Sequence, residues 1–280
     1  FDEAIASVEE AIRLDPNRST TFTQKGLIEL VSGRREEAEA AFNEAVELAP
    51  ESIDAHLALA TYYWAAGRAP ETEQALRTAL KLQPDHAGAN RAMAAFALAT
   101  GKTADAEQYL KRIADGTSEP GSVLALADYY LLTGRNKDAI ERLTPLADDK
   151  RGVPGAKQQL ARAYAASGDR KKADELIDQI LVSDDTNLEA QLLKSQMLLD
   201  EGKREESLSV AKETVEAHPT SAEAQFTLGR LYSMRGDAIA AETAFREVLK
   251  INPRIAAAQV ELARLQLSVG NTKDSVLSAE

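Results

Sequence analysis

Eight glycines recur along this chain at nearly constant separation, and no other feature limits its fold so tightly. They are Gly33, Gly67, Gly101, Gly134, Gly168, Gly202, Gly236 and Gly270, spaced by 34, 34, 33, 34, 34, 34 and 34 residues. Each stands in a short turn-like stretch, from "SGRR" and "AGRA" to "RGDA" and "VGNT". The register extends well beyond the glycine. Seven residues before it stands a small residue: Gly26, Ala60, Ala94, Ala127, Ala161, Ser195, Gly229 or Ala263. Five residues after it stands another: Ala38, Thr72, Ala106, Ala139, Ala173, Ser207, Ala241 or Ser275. Pro50, Pro84, Pro219 and Pro253 share a third position, and Pro16 fits a preceding partial copy. A period of this length marks a stacked repeat, in which each copy buries its apolar face only against its neighbours.

The apolar residues on both sides of each glycine have helical spacing, as in Leu126, Ala127 and Tyr130, and in Ala241, Phe245 and Val248. Each repeat is therefore predicted to be two antiparallel helices. Glycine ends the first because it enters the left-handed conformation at little cost. Acidic residues such as Glu36, Glu37, Glu71, Asp105, Asp138, Glu205 and Glu206 follow, where they complement the dipole of the second helix. Pro70 suits a helix start. Arg235-Gly236-Asp237 has the form of an adhesion tripeptide, but its register makes it an interhelical turn.

These positions resemble the tetratricopeptide repeat family: 34 residues, small residues at positions 8 and 20, Gly at 15 and often Pro at 32. Tyr63, Tyr130, Tyr164 and Tyr232 match the family's Tyr at position 11. The resemblance covers essentially the whole chain and implies an all-α, right-handed superhelical solenoid of antiparallel helix pairs. Seven full repeats are expected at 19–52, 53–86, 87–119, 120–153, 154–187, 188–221 and 222–255. A lone second helix precedes them (1–18) and a partial repeat follows (256–280), so the chain reads as a fragment of a longer one.

The family's Trp at position 4 never appears; Phe22, His56, Asn90, Val123, Lys157, Gln191, Gln225 and Gln259 stand there. Glu29 replaces the usual Tyr at position 11, and with Lys25 four residues earlier it is expected to pair on a solvated face. The middle is irregular: "ADGTSEPGS" replaces a usual turn, Pro145 interrupts a second helix, and "DDKRGVPG" follows. This is either drift in a tolerant scaffold or a hinge near 113–155.

A net charge of -12 argues against nucleic acid and anionic membranes as partners. Cysteine is absent, and the three histidines His56, His86 and His218 share no metal-ligand spacing. No phosphate-binding loop or nucleophile elbow is present, and the paired Asp148–Asp149 and Asp184–Asp185 read as solvated loop charges. The expectation is no enzyme, no cofactor and no metal. No stretch is long and apolar enough to insert into a membrane. The compartment stays open between cytoplasm and periplasm, since a signal segment can lie upstream.

Solenoids bind along an extended surface. In the family that surface is the concave face, lined by the first helix of each repeat at positions 2, 5, 9, 12 and 13. The resemblance thus implies a partner site at position 5 (Leu57, Arg91, Leu124, Leu192, Phe226), position 9 (Thr61, Asp128, Arg162, Gln196, Arg230, Arg264) and Trp64 at position 12. An apolar strip with the chain's one tryptophan suits a protein ligand, unless Trp64 and the leucines instead pack between neighbouring first helices. The arginines meet an acidic ligand segment or pair with nearby Glu. No Lys at position 5 or Asn at position 9 provides a clamp for a C-terminal carboxylate.

The expected function is a non-catalytic scaffold holding a partner peptide or protein segment. "AIRLDP", "ALKLQP" and "VLKINP" resemble bacterial members, some of which serve envelope assembly, secretion or exopolysaccharide export. The alternatives are a spacer that self-associates into homo-oligomers through its terminal repeats, and a substrate-docking arm of a larger enzyme.

Overall fold

The computed structural model describes residues 1–117, 119–149 and 152–268, and the described residues are helical throughout, joined by short turns. In chain order the helices are α1 (Asp2–Leu14), α2 (Ser19–Val31), α3 (Arg35–Leu48), α4 (Ile53–Ala65), α5 (Ala69–Leu82), α6 (Ala87–Ala99), α7 (Thr103–Gly116) and α8 (Pro120–Leu132). They continue with α9 (Asn136–Ala147), α10 (Ala156–Ser167), α11 (Arg170–Ser183), α12 (Leu188–Asp200), α13 (Arg204–Ala217), α14 (Ala222–Arg235), α15 (Ala238–Ile251) and α16 (Ala256–Ser268). Gly270 and Ser275, and Ser118, Lys150 and Arg151 of the irregular middle, lie outside the described residues.

The seven described turn glycines all have positive φ, from +73° at Gly67 and Gly134 to +86° at Gly168. The reason is visible at Gly236. Its φ of +85° lets the Asp237 N–H turn back onto the Tyr232 carbonyl at 3.0 Å, satisfying the end of α14. Asp237 then caps α15, its carboxylate accepting from the Ala240 N–H at 3.2 Å. The Arg-Gly-Asp tripeptide is thus spent on ending one helix and starting the next. At the other end of the repeat, Ser52, His86, Asn187 and Ser221 cap α4, α6, α12 and α14 by accepting from the amide three residues on.

The chain divides into two compact units, Phe1–Leu126 and Ala127–Glu280. In the N-terminal unit α2 packs on α3, α4 on α5 and α6 on α7, while α3 meets α4 and α5 meets α6. In the C-terminal unit α10 packs on α11, α12 on α13 and α14 on α15, again with neighbouring pairs in contact. Both are helix-pair solenoids. The small residues sit where the helices of a pair come closest: Ala38, Ala106, Ala127, Ala139, Ala161, Ala173, Ser207 and Ala241 are 0% exposed. Where serine replaces alanine its hydroxyl is satisfied across the same contact. Ser207 donates to the Ser195 carbonyl at 2.7 Å and Ser195 to the Ser207 carbonyl at 3.2 Å.

Position 4, where the family's Trp is missing, has a different task here. Its polar side chain reaches back to a carbonyl six residues earlier, in the turn between repeats. Asn90 donates to the Pro84 carbonyl at 2.7 Å, Gln191 to Asp185 at 2.8 Å and Gln259 to Pro253 at 3.1 Å; His56 Nε2 meets the Pro50 carbonyl at 2.8 Å. In these four repeats the side chain gives a turn carbonyl outside the helix ladder a hydrogen-bond donor and ties the turn to the next first helix.

One expected pair does not form. Glu29 is only 3% exposed and its carboxylate meets Arg34 at 2.7 Å, while Lys25 reaches Glu9 on α1 at 2.9 Å. Position 11 faces inward, as its tyrosines do elsewhere, so Glu29 cannot stay on a solvated face. Pro145 stands in the last turn of α9, which ends at Ala147 after 12 residues. α9 is two residues shorter than counterparts such as α11 and α13 and continues through the proline.

Candidate interaction surface

In the N-terminal unit, Leu57, Thr61 and Trp64 lie along one face of α4 and line an open cleft of about 550 Å³. Its far wall is α6, and Thr72 and Leu76 of α5 form its floor. The cleft exists because α6 presents Gly88, Ala92, Ala95 and Ala99 to it, at spacings of four, three and four residues, with too little side chain to fill the space. Trp64 stands at the rim, 47% exposed, with its ring edge-on to buried Phe96 at 5.6 Å and 72°. The tryptophan therefore packs against the neighbouring first helix and remains accessible as well. The polar atoms in the walls are already satisfied: Thr61 donates to the Leu57 carbonyl at 2.8 Å and Thr72 to Arg68 at 2.9 Å. Nothing in the lining demands a hydrogen bond from a ligand, so the cleft is suited to apolar groups. Exposed Arg91 and half-buried Leu124 lie outside this lining.

In the C-terminal unit, Asp128 lies on α8 with Arg162 of α10 nearby. Asp128 is exposed, but partial desolvation of its carboxyl pushes it above its usual pKa; the Arg162 guanidinium and a hydrogen bond from Gln159 pull it back. Leu192 of α12 and Phe226 of α14 are half-buried. Half-buried Phe226 packs on fully buried Phe245 with ring centres 5.5 Å apart and planes tilted by 56°. Gln196 donates to Asp200 at 2.7 Å. Arg162 and Arg230 are exposed, and Arg264 bonds Glu261 at 2.7 Å, so nearby glutamate accounts for one of the three arginines. None of the twelve expected site residues is fully buried. The residues that sequence reasoning passed over are Gly88, Ala92 and Ala99. Their signal was legible as missing bulk at positions 2, 6 and 13 of one repeat.

Among the described residues no group of three or more His, Asp or Glu side chains is placed to hold a metal ion. His56 and His218 contact backbone carbonyls and His86 caps α6. No described helix is long and apolar enough to cross a membrane.

One tetratricopeptide-repeat model matches residues 63–126 and 130–197, and a second matches residues 1–53 and 192–253. The chain belongs to the tetratricopeptide repeat family. Among solved structures, its fold is similar to that of a tetratricopeptide repeat protein from Parabacteroides merdae, with a TM-score of 0.70 and 12% identity over 89% of this chain and 99% of that one. Human IFIT1, solved as a dimer with m7Gppp-AAAA, matches with a TM-score of 0.52 and 14% identity over 99% of this chain and 72% of that one. A comparison with curated proteins finds no match. At these identities the likeness is one of fold, and the repeats of this chain carry their own surface.

Proposed function

We propose that this tetratricopeptide repeat chain is a non-catalytic scaffold that seats a segment of a partner protein against its first helices. The observation that carries this reading is the cleft beside Trp64. It keeps apolar surface open, its polar atoms need no partner, and a ligand side chain would complete its packing. Leu57, Thr61, Trp64, Arg91 and Leu124 contribute from the N-terminal unit. Asp128, Arg162, Leu192, Gln196, Phe226, Arg230 and Arg264 contribute from the C-terminal unit. The charge of -12 disfavours nucleic acid as the ligand. The repeat-end usage and Ala-rich helices favour a bacterial envelope, secretion or exopolysaccharide-export assembly as the setting.

The test is affinity capture from the source cell with the wild-type chain and an Ala95→Leu, Phe226→Glu variant, after circular dichroism shows equal helicity. Ala95 is exposed in the cleft, so leucine fills the space without disturbing the core. A partner held by the wild type and lost by the variant supports the scaffold reading. A partner held equally by both moves the site away from the first helices.

A further inference from the structure

The first-helix face of the C-terminal unit carries acidic, apolar and basic residues in a fixed order. Along α12 the order is Glu189, Leu192, Gln196; along α14 it is Glu223, Phe226, Arg230; α16 continues with Val260 and Arg264. The four charged residues are exposed, Leu192 and Phe226 are half-buried, and Val260 is 46% exposed. α12 touches α14, and the named residues occupy equivalent positions of successive first helices. The result is an acidic edge, an apolar middle and a basic edge. Asp200 holds Gln196 on α12, so the basic edge belongs to α14 and α16.

The offsets set a width. Steps of three and then four residues, at a helical rise of about 1.5 Å, separate the two edges by about 10 Å. That matches the diameter of an α-helix with its side chains, about 10–12 Å. An extended segment sends alternate side chains toward and away from the surface, and does not reach both edges at once.

We propose that this face seats an amphipathic helix of a partner protein, lying across α12 and α14. Its apolar stripe rests on Leu192, Phe226 and Val260, its basic flank faces Glu189 and Glu223, and its acidic flank faces Arg230 and Arg264. The inference rests on the scaffold reading and names the ligand's chemistry. Charge complementarity selects the occupant. The two edges are opposite in sign, so a helix with segregated flanks gains at both, and turning it end for end sets like charges together. The 2.7 Å bond from Arg264 to Glu261 uses one arm of a side chain that is 69% exposed, and the fork keeps further donors for a ligand carboxylate.

The experiment titrates the full chain with two synthetic helical peptides of equal composition, each with a leucine stripe. One has glutamates on one flank and lysines on the other; its counterpart mixes both on each flank. At low ionic strength the segregated peptide is expected to bind about tenfold more tightly. Arg230→Glu with Arg264→Glu is expected to erase that preference, and Phe226→Glu to weaken both peptides, with circular dichroism confirming each fold. Equal affinity of the two peptides for the wild type overturns this proposal; if Phe226→Glu still weakens both, the scaffold reading stands without it. Binding of neither peptide overturns the proposal and counts against the scaffold reading too.

Discussion

Gly26 faces Phe42 so closely that a Cβ at position 26 would lie 2.7 Å from Phe42 Cε1. The same pairing recurs at Gly229 and Phe245, at 2.8 Å. In both repeats the helices of a pair approach over a bare glycine because the facing side chain is a phenylalanine. Where the facing residue is Leu76, Leu110, Leu143 or Ile177, the glycine is replaced by Ala60, Ala94, Ala127 or Ala161. In these six repeats volume is exchanged across the contact and the total stays nearly constant; Ser195 with Ala211 is the smaller exception. Gly26→Ala is expected to destabilise by about 1–3 kcal/mol through overpacking. Gly26→Ala with Phe42→Leu is expected to cost less than the sum of the two single changes, because together they recreate the alanine–leucine contact. A double-mutant cycle from denaturant unfolding measures the coupling, and additivity would refute the exchange.

The reach of Asn90 to the Pro84 carbonyl makes position 4 a latch between repeats. Asn90 is 0% exposed. Asn90→Ala removes its bonds to the Pro84 and His86 carbonyls and leaves Pro84 only the more exposed Arg112 donor at 3.2 Å, so it is expected to cost about 1 kcal/mol. Glutamine and histidine make the same contact in sister repeats, so Asn90→Gln is expected to recover part of the loss. Hydrogen exchange in the 84–90 segment should speed up in the alanine variant and much less in the glutamine one.

Glu29 and Arg34 stand where other repeats place a tyrosine under an arginine. Arg68 lies 4.6 Å from the Tyr63 ring centre, and Arg135 lies 4.5 Å from that of Tyr130. Arg34→Ala strands a carboxylate that is 4% exposed. Because Arg34 itself is 39% exposed, the expected cost is about 2 kcal/mol, below the 3–5 kcal/mol of a fully buried pair. Glu29→Tyr restores the arrangement of the sister repeats and is expected to be neutral or stabilising. Thermal unfolding of the two variants decides between them.

Asp128 should make the chain less stable as pH rises through its titration. Its carboxyl is pushed up by partial desolvation at an exposed position, so the folded state holds the proton somewhat more tightly than the unfolded chain and the effect is small. The favourable contribution is complete below the ordinary carboxylate value and lost as pH rises past the raised one. Asp128→Asn is therefore expected to raise the melting temperature relative to wild type at neutral pH, with the gap closing in acid. A gap that widens in acid would reverse the sign of the argument.

The repeat, its two helices and its turns were all legible in the chain, because a glycine held to one backbone region and small residues at helix crossings leave a period that survives divergence. The first-helix rows were legible once that period was known. Glu29 was misjudged because four-residue spacing reports that two side chains share a helix face and says nothing of which neighbour covers it. The Asn90 latch was invisible because its partner is a backbone carbonyl, which has no letter in a sequence. The cleft beside Trp64 depends on space left between α4, α5 and α6, and a void is a property of assembled volumes. Local rules thus determined the elements of this protein, while its surface was decided by packing between residues far apart in the chain.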